Sequence, residues 1–97
     1  MPTTSSDRFP TACFSVTASR EPSVLSRILE LFAKRGLVPT RVHSDVAGHG
    51  DTPLSVDIQV EDLDPELAAY IARCMRQIAY VDCVLTSERG AAAAAHA

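Results

Sequence analysis

Phe14 and Val16 alternate with Ser15 and Thr17, which is the two-residue period of a half-buried strand. After a short polar stretch, Val24, Leu25, Ile28, Leu29, Leu31 and Phe32 recur at helical spacing, and Lys34, Arg35 and Gly36 close that run. Pro22 fits the start of this helix, because its fixed φ is helical and its missing N–H has no partner to lose there. A second strand follows, with Val38, Thr40, Val42, Ser44 and Val46 on one face and Pro39, Arg41, His43 and Asp45 on the other. Pro39 lacks a donor, so the strand lies at an edge or pairs only beyond that point. Gly48, His49, Gly50, Asp51, Thr52 and Pro53 read as a loop, and Leu54, Val56, Ile58 and Val60 then alternate strictly with Ser55, Asp57, Gln59 and Glu61. A hairpin joins these two strands most economically.

Asp64, Pro65 and Glu66 supply a cap, a first-turn proline and an acidic first turn to a second helix. Its apolar stripe runs through Leu67, Ile71, Cys74 and Ile78 and is widened by Ala68 and Met75. Residues 80–86, β-branched and aromatic, predict the last strand. The order β-α-β-β-α-β predicts an α+β, ferredoxin-like sandwich: a four-stranded antiparallel sheet with two helices on one face. The other face is then polar, with Ser15, Thr17, Arg41, His43, Ser55, Asp57 and Gln59.

Composition narrows what such a fold does. Residues 1–10 and 89–97 read as flexible tails, the second nearly all alanine, which leaves 11–88 as one small domain. At that size buried area is scarce, and pairing with another chain helps. The formal charge of −3 argues against a nucleic-acid partner. There is no apolar run long enough for a membrane span and no secretory signal pattern. Cys13, Cys74 and Cys83 form no paired-cysteine motif and read as reduced, mostly buried thiols of a cytoplasmic protein.

The candidate chemistry is sparse. His43, Asp45, His49 and Asp51 form the one grouping with metal-ligand character, and a solvated hairpin tip accounts for them. Nothing supplies a nucleophile with a base and an orienting group, so neither catalysis nor a cofactor or metal is expected. An RNA-binding sheet would need aromatic residues where this one has Ser15, Thr17, Asp57 and Gln59. The turn between first strand and first helix is what remains. Its backbone N–H groups and the helix dipole favour carboxylates and other anions, and a catalytic residue is not required.

Glu21-Pro22, Val24-Leu25, Arg27-Ile28, Phe32 and Arg35-Gly36 carry a resemblance. Residues 12–87 look like an ACT domain, the small amino-acid-sensing module of metabolic enzymes. Within that family the chain is most similar to the short regulatory small subunit of acetolactate synthase (acetohydroxyacid synthase), which acts in branched-chain amino-acid biosynthesis. The resemblance implies a non-catalytic regulatory role and a homodimer or higher oligomer. It also implies a large catalytic subunit as partner, and a small amino-acid effector contacted from Arg20, Glu21, Pro22, Ser23, Val24 and Leu25. Many ligand-binding members carry Asn or Asp where this chain has Arg20, and glycine where it has Ser23. Arg20 either clamps a carboxylate bidentately or fills the pocket itself. A freestanding sensor acting on another enzyme, and a homodimeric structural module without ligand, are the other two readings.

Overall fold

The computed structural model describes residues 9–46 and 53–90. Its elements are β1 (Thr11–Ala18), α1 (Val24–Ala33), β2 (Arg41–Val46), β3 (Leu54–Val60), α2 (Pro65–Arg76) and β4 (Val81–Arg89). The sheet order is β2-β3-β1-β4, with every neighbouring pair antiparallel. This is the ferredoxin-like arrangement expected from the element order.

The core forms on one face of β1. Ala12, Phe14, Val16 and Ala18 point to the helices and are buried, as are Val56, Ile58 and Val60 beside them on β3. Helix α1 covers this face with Val24, Ile28 and Phe32, and α2 with Ala68, Ile71, Ala72 and Met75. Phe14 and Phe32 meet edge to face, ring centroids 5.4 Å apart, the geometry that aromatic quadrupoles favour. Because β3 lies between β1 and β2, the crossover carrying α1 passes over β3, and the crossover carrying α2 passes over β1.

Both helices end as local chemistry dictates. The Asp64 carboxylate accepts from the Glu66 N–H at 2.9 Å and caps α2, with Pro65 as its first residue. At the end of α1, Leu37 N–H reaches Phe32 O and Gly36 N–H reaches Ala33 O, both 3.0 Å. Gly36 sits at φ +68, and together these make a Schellman closure. Strand β2 begins only at Arg41, after Pro39, although Thr40 N–H already donates to Gln59 O at 2.8 Å. Pro39 has no donor for the ladder, and Val38 before it is left 78% exposed.

Three expectations need correction. The hydrogen-bonded frame takes in Phe9, Pro10 and Arg89, which the sequence pattern assigns to tails. Phe9 N–H donates to Asp62 Oδ1 at 2.7 Å, Leu63 N–H donates to Pro10 O at 3.2 Å, and Arg89 pairs with Thr11 at the end of β4. Residues 1–8 and 91–97 of those tails, and the loop 47–52, lie outside the described residues. The thiols are free but not all buried: Cys13 and Cys74 are half-buried and Cys83 is exposed. Cys83 stands opposite Thr17, which turns it to the helix-free face. Pro22 is not the first residue of α1; it lies in the turn before the N-cap Ser23.

A chain cut to residues 9–90 is therefore expected to melt at the temperature of the full chain. One begun at residue 11 loses the Phe9 and Pro10 bonds. At ~1 kcal/mol per bond, that is a fall of about 4–8 °C per kcal/mol, read by thermal denaturation. Gly36→Ala forces a Cβ into a left-handed conformation and should cost about 1–2 kcal/mol in a urea titration.

Candidate functional site

The turn from β1 to α1 is fixed at both ends. Ala18 is fully buried under the helix layer, and the next residue, Ser19, donates its N–H to Tyr80 O at 2.8 Å. That bond ties the turn to the start of β4. Val24 N–H then donates to Glu21 O at 3.0 Å, which closes a β-turn with Pro22 and Ser23 at its centre. Proline is favoured at the first central position, and Ser23, at φ −90 and ψ −5, has the dihedrals of the second central position of a type I turn. The helix starts at once: Arg27 N–H reaches Ser23 O at 3.1 Å.

Ser23 occupies the N-cap, yet its side chain makes no cap bond. A capping serine normally has extended backbone dihedrals that aim its oxygen at the first helical N–H groups. Here the backbone is already helical, so the hydroxyl turns the other way. It donates to Glu21 Oε1, and Ser23 N–H donates to the same oxygen at 2.8 Å. Glu21 is thus a carboxylate held by this turn. Its carboxyl is held below the ordinary value of 4.5, first by the Ser23 hydroxyl, next by the Ser23 N–H, and also by the charge of Arg27; partial withdrawal from water works against these.

Of the six residues read as effector contacts, the structure places five at the surface or half-buried and one in the core. Arg20 and Pro22 are exposed, and Glu21, Ser23 and Leu25 are half-buried. Val24 is fully buried in the core, and its N–H is taken by Glu21 O, so it builds the site without facing a ligand. A shallow, solvent-open groove begins at Ser23 and follows one side of α1 past Ser26, Arg27, Leu29, Glu30 and Ala33, lined by that helix and its cap residue. Ser26 and Arg27 are the polar groups that sequence reading missed. Their placement one turn into the helix, next to Ser23, was the available signal.

The β2 edge adds a second feature. Val42 stands opposite the buried Ile58 and Ser44 opposite the buried Val56, on the helix side of the sheet. Val42 is nevertheless 43% exposed and Ser44 is exposed, so the helix layer stops short of β2. Ala18, Leu54 and Val46 share one rung, which puts the turn and the far end of β2 at the same end of the sheet.

His43 faces Asp57 across the β2–β3 ladder and Asp45 faces Ser55. His49 and Asp51, the other members of the metal-like grouping, lie outside the described residues. Among the described residues no three His, Cys, Asp or Glu side chains gather as a metal site. No helix among them is long and apolar enough to cross a membrane.

A family model described as an ACT-like domain matches residues 5–93. A search of curated proteins finds no match. Among solved structures, the ACT domain from GTP pyrophosphokinase of Chlorobium tepidum superposes with a TM-score of 0.67 at 9% identity, over 81% of this chain and 100% of that one. The C-terminal domain of the MgtC protein from Mycobacterium tuberculosis gives 0.63 at 10% identity, over 87% of this chain and 92% of that one. The regulatory subunit of aspartate kinase from Thermus flavus gives 0.60 at 13% identity, over 82% of this chain and 52% of that longer one. At these identities the likeness to the three structures is one of fold.

The Glu21 contact carries a pH signature. Its pKa is lower folded than unfolded, so its contribution is complete at neutral pH and is lost as pH falls below 4.5 and through the lowered folded value. Glu21→Gln keeps an acceptor for Ser23 but removes the charge. The variant should melt slightly below the natural chain at pH 7, and the gap should close by pH ~2. A gap that persists in acid would show that the carboxylate's charge is not what Ser23 reads.

Proposed function

Since the chain belongs to the ACT-like domain family, we propose that it is a non-catalytic regulatory domain that works as a dimer and takes a small carboxylate-bearing effector at the turn between β1 and α1. The observation that carries this reading is the grip of Ser23 on Glu21. The turn holds a carboxylate with one backbone N–H and one hydroxyl, beside Arg27 and at the mouth of an open groove. An effector carboxylate entering that groove competes with Glu21 for these donors, so binding rearranges the turn, and the turn is coupled to β4 through the Ser19–Tyr80 bond. Such a rearrangement is what an effector needs to shift an equilibrium between two states.

Dimerisation through the β2 edge is supported by the uncovered Val38 and Val42 and by the unpaired outer side of that edge strand. A second copy joined there covers the two valines.

The finer reading is the small subunit of acetolactate synthase, acting on the large catalytic subunit of that enzyme. It rests on the likeness in Glu21-Pro22, Arg27-Ile28 and Arg35-Gly36. Arg20 and Ser23 depart from the ligand-binding pattern, and the departure has a physical sense here: Ser23 supplies the hydroxyl that holds Glu21. A sensor serving another enzyme differs only in the partner.

A thermal-shift series against the twenty amino acids at millimolar concentration tests the effector. A ligand present at ten times its Kd adds ~1.4 kcal/mol. The expected result is a selective rise that Arg20→Ala abolishes and Glu21→Gln enlarges. Light scattering on the full chain should give a dimer, and Val42→Asp should give a monomer. A monomeric natural chain would overturn the dimer. Adding the chain to an acetolactate synthase large subunit from the same source should raise its activity, and no change would discard that partner.

A further inference from the structure

The helix-free face of the sheet holds a second polar depression, lined by residues of all four strands and by none of the turn. The strand register lays out its floor. Arg41, Gln59, Cys13 and Ser87 form one rung across β2, β3, β1 and β4, and His43, Asp57, Ser15 and Leu85 form the next. Arg89, at the end of β4, reaches across β1 and donates from Nη2 to Gln59 Oε1 at 2.8 Å. Arg41 stands directly opposite the same Gln59 on the other side. Arginines from the two edge strands therefore flank Gln59, and both line the same hollow. Between them lies a depression of about 380 Å³, with Asp57, Ser15 and Ser87 also on its walls.

Two arginines lining one hollow give it positive charge, which an anion between them neutralises. Their fork geometry suits a carboxylate, and the two serine hydroxyls add donors to the same hollow. With one bond from Arg89 on its oxygen, the Gln59 side chain keeps both N–H donors of its amide. Asp57 lies two residues along the same face of β3, about 7 Å from Gln59 by strand geometry. Among the described residues it is ion-paired with neither arginine. Its charge opposes a dianion and attracts a cation. The hollow thus carries positive charge at one end and negative charge at the other, with hydroxyls between.

We propose that this depression binds a small zwitterion of amino-acid size, its carboxylate between Arg41 and Arg89 and its ammonium toward Asp57. The site uses none of the residues 18–25, so it stands or falls apart from the effector turn. Its volume lies at the small end of ordinary small-molecule pockets, which suits a ligand of a few heavy atoms.

Glycine, the smallest such zwitterion, is the probe, with acetate and methylammonium as its two halves. Titrated into the isotopically labelled full chain and followed by amide NMR shifts, glycine should give saturable shifts at Ser15, Asp57, Gln59 and Ser87. Each half alone should bind at least about tenfold more weakly. Arg41→Gln and Asp57→Asn, both exposed and outside the core, should each weaken glycine about tenfold or more while leaving the melting temperature unchanged. Should either variant melt early, Arg89→Gln replaces it. Three results would overturn the proposal. One is no saturable shift on the sheet. Another is acetate matching glycine with Asp57→Asn silent, which marks a plain anion site. The third is shifts confined to residues 19–25, which sinks this site and leaves the effector turn standing.

Discussion

The structure depends on covering one face of β1. This strand alone has hydrogen-bonded neighbours on both sides that themselves pack beneath the helices, and its four helix-facing residues, Ala12, Phe14, Val16 and Ala18, are all but sealed from water. Phe14 is the largest of them, and Phe32 of α1 meets it edge to face. To bring Phe32 there, α1 must start close to the end of β1, because only about two turns at 1.5 Å per residue separate its first residue from Phe32. The chain has only residues 19–23 in which to reverse direction. The turn is short, closed by internal hydrogen bonds, and held at the sheet end because the core requires it.

That constraint also decides what the turn's side chains do. A five-residue reversal with proline inside it puts Ser23 into helical dihedrals before the helix has begun. Ser23 then cannot cap in the ordinary way, and its hydroxyl and N–H take the Glu21 carboxylate. The sequence pattern puts Glu21 and Ser23 together among the effector contacts without pairing them, because residue types do not report backbone dihedrals. The strict alternation from Leu54 to Val60 and the Asp64-Pro65-Glu66 start of α2 were legible, since each is a local pattern with one physical solution. Val24, read among the effector contacts, is fully buried, because the helical period sends its side chain into the core.

Long-range register was the part least visible in the chain. The seven polar residues expected on the open face are indeed in register there, because strand alternation alone determines a face. Which of them stand together is a matter of pairing. Arg41 and Arg89 are far apart in sequence, and only the order β2-β3-β1-β4 brings both to Gln59. Leu85, 63% exposed beside Ser15, was likewise unforeseen, because β4 runs to Arg89 and its alternation puts Leu85 on the helix-free side.

The two candidate sites use the sheet differently, and this bears on regulation. The turn is tied to β4 by the Ser19–Tyr80 bond and to the core by Ala18 and Val24, so displacing Glu21 there strains elements that define the fold. The depression on the open face is floored by three ladders already paired across the sheet, and a ligand there loads only side chains. Coupling between sites requires a segment with two arrangements that both ligands bias unequally. Within this chain the turn has the means for two arrangements, since its carboxylate can be its own or a ligand's. The ladder floor has one, being bonded throughout. On the proposed regulatory reading, a signal to a partner starts at the turn, while a zwitterion on the open face adds no net charge and covers Arg41, Arg89 and Asp57 without moving the ladders beneath them.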